Sequence, residues 1–271
     1  MTGGPNDGQT RTGTATDGDV LVSVRDLERT YRGGVEALRG VSFDVRRGSR
    51  FGIVGESGSG KSTVVRLLAA LDRPTGGSVT FDGTRIDHLR DRDLGFLRKR
   101  LQIVFQDPMG SLDPRMRVRD IISEPLGRAR GRDQRVAELL DAVGLPGDAG
   151  RKYPHQFSGG QRQRISIARA LAPRPEVLIA DEAVSALDVL VRKQILDLLD
   201  RLAGEFSLTM VFVSHDLGVV RRVCDEVAVM RRGEIVEQGP VADVYDAPRS
   251  EYTRSLVAAA PRLETVLSEK E

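Results

Sequence analysis

The chain has 271 residues, and its 41 Lys and Arg against 39 Asp and Glu give a formal net charge of +2. This near balance does not favour a protein that binds nucleic acid through bulk electrostatics. The hydrophobic content of 39% and the charged content of 30% are typical of a globular protein that buries a sizeable core. The single cysteine, Cys224, excludes both an intramolecular disulfide and an iron–sulfur cluster held by cysteines of this chain alone.

The N-terminal residues are rich in Gly, Thr and Asp and lack the apolar core of a secretory signal, so we predict a disordered tail over 1–19. No apolar run in the sequence approaches the ~18 residues that a membrane span requires. We predict a single domain over 20–271. Its predicted parts are an α/β core (20–106 and 160–240), a helical insertion (107–159) and a C-terminal helical tail (241–271).

Short apolar runs bounded by turn residues predict strands, and apolar residues at helical spacing predict helices. The predicted strands are 20–24, 41–45, 50–54, 78–81, 101–105, 177–180, 209–213, 227–230 and 234–238. The predicted helices are 61–71, 118–122, 134–143, 161–171, 189–202 and 217–223. Strands that alternate with helices imply an α/β fold with a mainly parallel sheet and crossover helices.

A Gly-rich loop follows the third predicted strand and precedes a helix. Residues Gly55–Ser62 read GESGSGKS and match the pattern G-x-x-x-x-G-K-[ST]. Such a loop directs backbone N–H groups at phosphates, the lysine supplies a full positive charge, and the hydroxyl of Ser62 is a ligand for Mg²⁺. The alternative is a Gly-rich turn with a chance lysine. The residues expected at this nucleoside triphosphate site are Gly55, Glu56, Ser57, Gly58, Ser59, Gly60, Lys61, Ser62 and Thr63.

Two acidic residues, Asp181 and Glu182, follow the apolar strand predicted at 177–180. Acids at the end of a buried strand are costly unless they meet a cation or a polar cavity. We therefore expect Asp181 to hold Mg²⁺, directly or through water, and Glu182 to orient or deprotonate an attacking water. The alternative is a pair of ordinary helix-capping acids.

A second Gly-rich turn, Phe157-Ser158-Gly159-Gly160-Gln161, precedes the helix predicted at 161–171. Ser158 is a good N-cap, and the two glycines would expose the first amides of the helix as a second anion site. One interpretation is a helix cap and nothing more. The other is a turn that closes on the triphosphate of another subunit.

These motifs, in this order, resemble the ABC-type ATPases, and the resemblance covers nearly the whole chain after the tail. FSGGQ resembles the family's signature, usually LSGGQ; Gly55–Ser62 and Val177–Glu182 resemble its Walker A and Walker B motifs. Gln106 resembles the Q-loop glutamine, Ser185–Asp188 the D-loop and His215 the switch histidine. The resemblance implies a P-loop NTPase core of RecA-like type, an antiparallel β subdomain and a helical insertion subdomain.

The resemblance also implies roles for single residues. Tyr31 would stack on adenine, and its alternative is an aromatic packed at a strand edge. Gln106 would contact the Mg²⁺ shell or the attacking water, and its alternative is a surface amide. His215 would bond the γ-phosphate or the water, and its alternative is a core histidine. Asp188 is expected at a dimer seam, as a helix cap, or as both.

The mechanism that the resemblance implies is dimeric, with each ATP and its Mg²⁺ between Gly55–Ser62 of one subunit and Ser158–Gln161 of the other. The implied partners are two transmembrane permease subunits, a second ATPase subunit that is the same chain or a paralogue, and, indirectly, an extracytoplasmic substrate-binding protein. No nucleic-acid partner is expected. The implied location is the cytoplasmic face of the cell membrane, as a peripheral protein.

Several segments resemble the oligopeptide/dipeptide importer subfamily, which also handles nickel. They include FQDPMGSLDPR from Phe105, DEAVSALD from Asp181 and EYTRSLVAAAP from Glu251, where Ser250-Glu251 replaces the usual His-Pro. The leading hypothesis is therefore an ATP-hydrolysing subunit of a peptide importer. The alternative is a soluble ABC ATPase of a phosphonate-degrading or other cytosolic complex. A DNA-repair or translation ATPase is disfavoured without a long coiled coil or second cassette, and a non-hydrolysing regulator is disfavoured by Glu182 and His215.

Overall fold

The computed structural model describes residues 19–259. The strands are β1 Val20–Tyr31, β2 Val35–Arg46, β3 Arg50–Val54, β4 Gly76–Phe81, β5 Thr84–Arg85, β6 Leu101–Val104, β7 Val177–Asp181, β8 Thr209–Ser214, β9 Glu226–Arg231 and β10 Glu234–Pro240. The α-helices are α1 Lys61–Leu68, α2 Gly95–Arg100, α3 Pro108–Ser111, α4 Val118–Ser123, α5 Arg132–Ala142, α6 Gly159–Leu171, α7 Val189–Glu205, α8 Leu217–Val223, α9 Val241–Asp246 and α10 Glu251–Ala259.

The strands form two sheets. The six-stranded sheet has the order β10-β9-β3-β8-β7-β6, and every neighbouring pair in it is parallel except β9 with β10. The four-stranded sheet, β2-β1-β4-β5, is antiparallel. A mainly parallel sheet beside an antiparallel sheet was predicted, and the strands predicted at 227–230 and 234–238 form the β9–β10 hairpin.

The parallel sheet is covered on both faces, which explains the unbroken apolar runs of its strands. Along β7, Val177 and Ile179 enter the core shared with the antiparallel sheet, whereas Leu178 and Ala180 enter the core shared with the helices. This alternation is the normal consequence of the two-residue period of a strand. At the contact between the two sheets, Phe43 of β2 stacks on Phe51 of β3 with ring centroids 5.0 Å apart.

A cluster of four charged side chains also joins the two sheets. Arg47 and Arg100 each contact both Asp82 and Glu176, and the Arg47–Glu176 and Arg47–Asp82 distances are 2.6 and 2.9 Å. Arg47 and Asp82 follow strands of the antiparallel sheet, whereas Arg100 and Glu176 precede β6 and β7. We call this set the intersheet ion cluster.

The helices α3, α4 and α5 lie between β6 and α6, where the helical insertion was predicted. The proposed division of the chain into subdomains remains a prediction. Residues 1–18 of the predicted disordered tail lie outside the described residues, whereas Asp19 is described and its carbonyl accepts a hydrogen bond from Arg47 N at 2.8 Å. The end of α8 buries Cys224, and burial raises the pKa of its thiol far above the ordinary value.

Some predicted boundaries were wrong. The first helix ends at Leu68 rather than Leu71, because Ala70 adopts a left-handed conformation with φ 51°. The first strand continues past Val24 to Tyr31 through an irregularity in register, at which Asp26 has φ 45°. The short helix α2 was missed.

Candidate nucleotide-binding site

The ends of neighbouring strands bring most of the predicted site residues to one edge of the parallel sheet. Val54 at the end of β3 is level with Ser214 at the end of β8, and Val213 of β8 is level with Asp181 of β7. This is the edge at which open α/β sheets bind their ligands. The residues that come directly after β3, β8 and β7 are Gly55, His215 and Glu182.

The Gly-rich loop connects β3 to the first turn of α1. Gly60 has φ 108°, and a Cβ at this position would lie 2.7 Å from the carbonyl oxygen of Ala37. The glycine is therefore required both for the backbone conformation and for the close approach of β2. Ser62 is exposed in the first turn of α1, where the helix dipole favours anions.

Lys61 is the central cation of the site and is only 4% exposed. Its Nζ donates hydrogen bonds to the carbonyl oxygens of Gly55 at 2.7 Å and Glu56 at 2.9 Å. Nζ also lies 4.0 Å from Glu182 Oε1. Burial lowers the pKa of Lys61, and the negative charges of Glu182 and Asp181 oppose that shift. A buried cation held by two carbonyls is an arrangement suited to phosphate.

Asp181 ends β7 and lies beside both Lys61 and Glu182. Burial raises the pKa of Asp181, Glu182 raises it further, and Lys61 lowers it. A half-buried carboxylate with a raised pKa is one that a divalent cation would stabilise in its charged form. No group of three or more His, Cys, Asp or Glu that could hold a metal occurs among the described residues. One carboxylate and one hydroxyl, Asp181 and Ser62, nevertheless fit Mg²⁺, which is usually bound by few protein oxygens together with phosphates and water.

Glu182 has a left-handed backbone conformation, with φ 47°. Its N–H donates to the carbonyl of Val213 on the neighbouring strand at 2.9 Å. Its carboxylate is 22% exposed, and Oε2 lies 3.5 Å from His215 Nδ1. A strained backbone at a non-glycine residue is common at functional sites. Here the strain accompanies a carboxylate that lies between Lys61 and His215.

Two predicted residues are not tied to this cluster by hydrogen bonds. Gln106 follows β6 and is exposed, and it makes none with the described residues. Tyr31 ends β1, its hydroxyl donates to Asp72 Oδ2 at 3.2 Å, and the guanidinium of Arg29 lies 4.6 Å from its ring centroid. Because Arg29 covers one face of the ring, only the other face is left for a base.

The second Gly-rich turn forms a complete capping box at the start of α6. Ser158 Oγ accepts from the N–H of Gln161 at 3.3 Å, and Gln161 Oε1 accepts from the N–H of Ser158 at 3.0 Å. Gly160 packs so closely on α7 that a Cβ would lie 2.5 Å from Val191 Cγ1. Asp188 caps α7 by accepting from the N–H of Val191 at 3.0 Å. Ser158 therefore caps α6 as predicted, and the expected role of this turn at the triphosphate of another subunit remains a prediction.

One contact of the Gly-rich loop was missed. The N–H of Glu56 donates to the hydroxyl of Tyr252 in α10 at 3.0 Å. In the sequence, the segment EYTRSLVAAAP indicates only a likeness to a subfamily. Nothing in its spacing indicates that this tyrosine reaches back to residue 56.

The fold and this edge cluster define a P-loop nucleoside triphosphatase core. A sequence profile described as ABC transporter matches residues 38–185, which is more than half of the chain. The chain belongs to the ABC transporter family.

Curated relatives agree with this assignment. The glutathione import ATP-binding protein GsiA of Escherichia coli (strain K12) is 49% identical over 263 residues, which are 92% of this chain and 42% of GsiA. The oligopeptide transport ATP-binding protein OppD of Mycobacterium tuberculosis (strain ATCC 25618 / H37Rv) is 48% identical over 262 residues, which are 91% of this chain and 43% of OppD. The chain thus spans less than half the length of these relatives.

Solved structures share the fold. CbiO1 from Clostridium perfringens, part of the ABC transporter complex cbiONQ, superposes with a TM-score of 0.78 at 30% identity, covering 92% of this chain and 99% of CbiO1. The ATP-binding cassette MJ0796, in a dimeric post-hydrolysis state with ADP and Pi, gives 0.74 at 32% identity, covering 82% of this chain and 99% of that one. The predicted P-loop NTPase fold with its antiparallel sheet is confirmed. No helix in the described ranges is long and apolar enough to cross a membrane.

Proposed function

We propose that this chain is an ATP-hydrolysing subunit that dimerises around ATP and drives substrate import through membrane permeases. The observation that carries the proposal is the position of Glu182 between the buried Lys61, at 4.0 Å, and His215, at 3.5 Å. Three groups thus meet at the sheet edge where the Gly-rich loop follows β3: a cation for the phosphates, a carboxylate base and an imidazole. These are the groups that phosphoryl transfer to water needs.

In this proposal, Lys61 leaves the carbonyls of Gly55 and Glu56 and binds the β- and γ-phosphates. The amides of the loop and of the first turn of α1 bind the same phosphates. Glu182 accepts a proton from the attacking water, and His215 orients that water and the carboxylate. Mg²⁺, held by Ser62, Asp181 and Gln106, would neutralise charge on the phosphates.

The proposed dimer completes the site, with Ser158–Gln161 of a second subunit facing the phosphates. The exposed capping box at the start of α6 leaves that turn accessible from solvent. Tyr31 is proposed to stack on the adenine through the ring face that Arg29 does not cover. MJ0796, a structural relative, is dimeric with ADP and Pi bound, which supports this arrangement.

For the cargo we propose peptides, because the relatives GsiA and OppD are named for glutathione import and oligopeptide transport. The partners would be two permease subunits, a second ATPase subunit and, indirectly, an extracytoplasmic binding protein. The chain would then be peripheral to the cytoplasmic face of the membrane. The names of these relatives favour import over a soluble phosphonate-degrading complex.

The test is purification of the tagged chain from detergent-solubilised membranes of its native host, with identification of the partners and assay of ATP hydrolysis. We expect two multi-span permeases, and hydrolysis that increases when the reconstituted complex is given its binding protein and peptide. Recovery of soluble enzymes only would overturn the import proposal. If the complete complex does not hydrolyse ATP, the proposal that this chain is an ATPase is wrong.

A further inference from the structure

The peptide unit between Gly55 and Glu56 is bonded on both sides. Its carbonyl oxygen accepts from Lys61 Nζ at 2.7 Å, and its N–H donates to the hydroxyl of Tyr252 at 3.0 Å. A peptide unit held at both ends cannot rotate without breaking one of these bonds. The side chain of Lys61 and the C-terminal helix α10 are therefore linked through a single amide plane of the Gly-rich loop.

The ring of Tyr252 is itself firmly placed. The side chain is 6% exposed, and the guanidinium of Arg231 lies 4.8 Å from the ring centroid. Arg231 ends β9. In the turn after it, the N–H of Gly233 donates a hydrogen bond to the carbonyl oxygen of Ser59 in the Gly-rich loop, at 2.9 Å. The C-terminal part of the described chain thus contacts the Gly-rich loop at two separate points.

The start of α10 is fastened to β10. Glu237 accepts hydrogen bonds from the N–H groups of Arg249 at 2.8 Å and Ser250 at 3.0 Å. Although burial acts in the opposite direction, these N–H groups hold the pKa of Glu237 below its ordinary value. A charged carboxylate at the start of a helix also stabilises that helix through its dipole. This contact fixes the position from which Tyr252 reaches the loop.

We infer that Tyr252 is a positioning residue of the nucleotide site, one that pre-organises the Gly-rich loop through the Glu56 N–H. The inference rests on the proposed function, because it assigns a role in binding ATP. A loop already in its binding conformation loses less conformational freedom when the nucleotide binds, so affinity is higher. Removal of the hydroxyl leaves the 55–56 peptide bonded only through Lys61. Ordering the N–H side of this peptide then opposes binding.

The variant Tyr252→Phe removes only the hydroxyl and keeps the buried ring. The matched control is Tyr245→Phe in α9. Tyr245 also lies under an arginine, with Arg221 at 4.1 Å from the ring centroid, but within the described part of the chain it makes no hydrogen bond to the Gly-rich loop. MgATP and MgADP are titrated into each purified full-length protein by calorimetry. For Tyr252→Phe we expect Kd to rise about two- to tenfold for both nucleotides, the effect of one hydrogen bond. For Tyr245→Phe we expect the wild-type Kd.

Two further measurements separate positioning from stability. The Tm of the nucleotide-free Tyr252→Phe protein should fall by no more than the loss of one hydrogen bond explains, and its nucleotide-induced rise in Tm should be smaller than that of Tyr245→Phe. In steady-state hydrolysis, KM should rise while kcat at saturating MgATP changes by less than about twofold. Glu237→Ala, which frees the start of α10, should also raise Kd, and its effect should not add fully to that of Tyr252→Phe.

An unchanged Kd for Tyr252→Phe, in a protein whose wild type binds MgATP, would overturn the inference and leave the proposed function intact. A lower Tm with an unchanged Kd would have the same meaning, because the hydroxyl would then serve stability only. A wild type that binds neither nucleotide would overturn the proposed function instead.

Discussion

Glu182 Oε2 and His215 Nδ1 lie 3.5 Å apart at the ends of two adjacent parallel strands. The β7–β8 pairing sets this distance, because Asp181 and Val213 are directly in register, Glu182 follows Asp181 directly, and His215 comes two residues after Val213. The other oxygen of the same carboxylate lies 4.0 Å from the ammonium group of Lys61. One glutamate therefore connects the cation of the phosphate loop with the imidazole.

Replacement of Glu182 by Gln should leave ATP binding intact and reduce hydrolysis about a hundredfold or more, because the amide cannot accept the proton of water. ATP should then accumulate in a stable dimer, measurable by light scattering after size-exclusion chromatography. The control is Glu205→Gln, since Glu205 is an exposed acid that pairs with Arg201 on α7. Hydrolysis at the wild-type rate by Glu182→Gln would remove this residue from the mechanism.

Replacement of Lys61 by Ala should weaken ATP binding by about tenfold or more, since hydrogen bonds to a charged group are the stronger kind. Affinity is measured by calorimetry with MgATP. The control is Lys99→Ala on the exposed side of α2, which also removes one positive charge. This variant should bind MgATP with the affinity of the wild type. Equal affinity in Lys61→Ala would place the phosphates elsewhere.

Replacement of Ser158 by Arg should spare ATP binding by the monomer and prevent dimer closure, because a long side chain would occupy the surface that faces the second subunit. The measurement is dimer formation in the Glu182→Gln background, with ATP present. Ser158→Asn, which keeps a good N-cap for α6, is the control and should dimerise. A dimer of normal stability in the arginine variant would contradict the two-subunit site.

The intersheet ion cluster should make stability sensitive to acid. Hydrogen bonds from Arg100 and Arg47 hold the pKa of Glu176 below its ordinary value of 4.5, against the effect of burial. A lowered pKa in the folded state gives stability that is present above 4.5 and is lost as the pH falls through the folded-state pKa. Because the side chains are 30 to 46% exposed, we expect Glu176→Gln to cost only about 0.5–1 kcal/mol at neutral pH.

The check is the free energy of unfolding by urea for the wild type and Glu176→Gln between neutral and acidic pH. The two curves should converge on the acidic side. Glu205→Gln is the control, since Glu205 is exposed and pairs with Arg201 one turn away on α7, at 3.0 Å. Curves that stay parallel through the acidic range would show that the ionisation of Glu176 contributes nothing.

Much of the site was predictable because its chemistry is local in sequence. The loop Gly55–Ser62 and the pair Asp181 and Glu182 each combine a buried strand with the residues directly after it, and strand ends were correctly predicted within one residue for β3, β7 and β8. Parallel pairing then brings those ends together without further information. The capping role of Ser158 was predictable because a helix cap also depends on residues that are close in sequence.

Other features depend on distant contacts that no local pattern encodes. Tyr252 reaches Glu56 only because α9 and the β9–β10 hairpin place α10 behind the loop. The length of β1 was missed because its polar residues Arg25, Asp26 and Glu28 break the apolar alternation, although pairing with β2 and β4 carries the strand to Tyr31. No pattern in the sequence indicates that Arg29 covers one face of the Tyr31 ring.

The buried thiol of Cys224 has a practical consequence. It is the chain's only cysteine, it is enclosed at the end of α8, and its raised pKa keeps it protonated at neutral pH. Protonated, enclosed thiols react poorly with maleimides and methanethiosulfonates. The natural cysteine therefore does not compete for thiol-reactive labels. A single cysteine introduced on an exposed face, for example in place of Lys99, would accept a fluorophore or spin label selectively. Opening and closing of a pair of subunits would then be measurable as a distance between two identical probes.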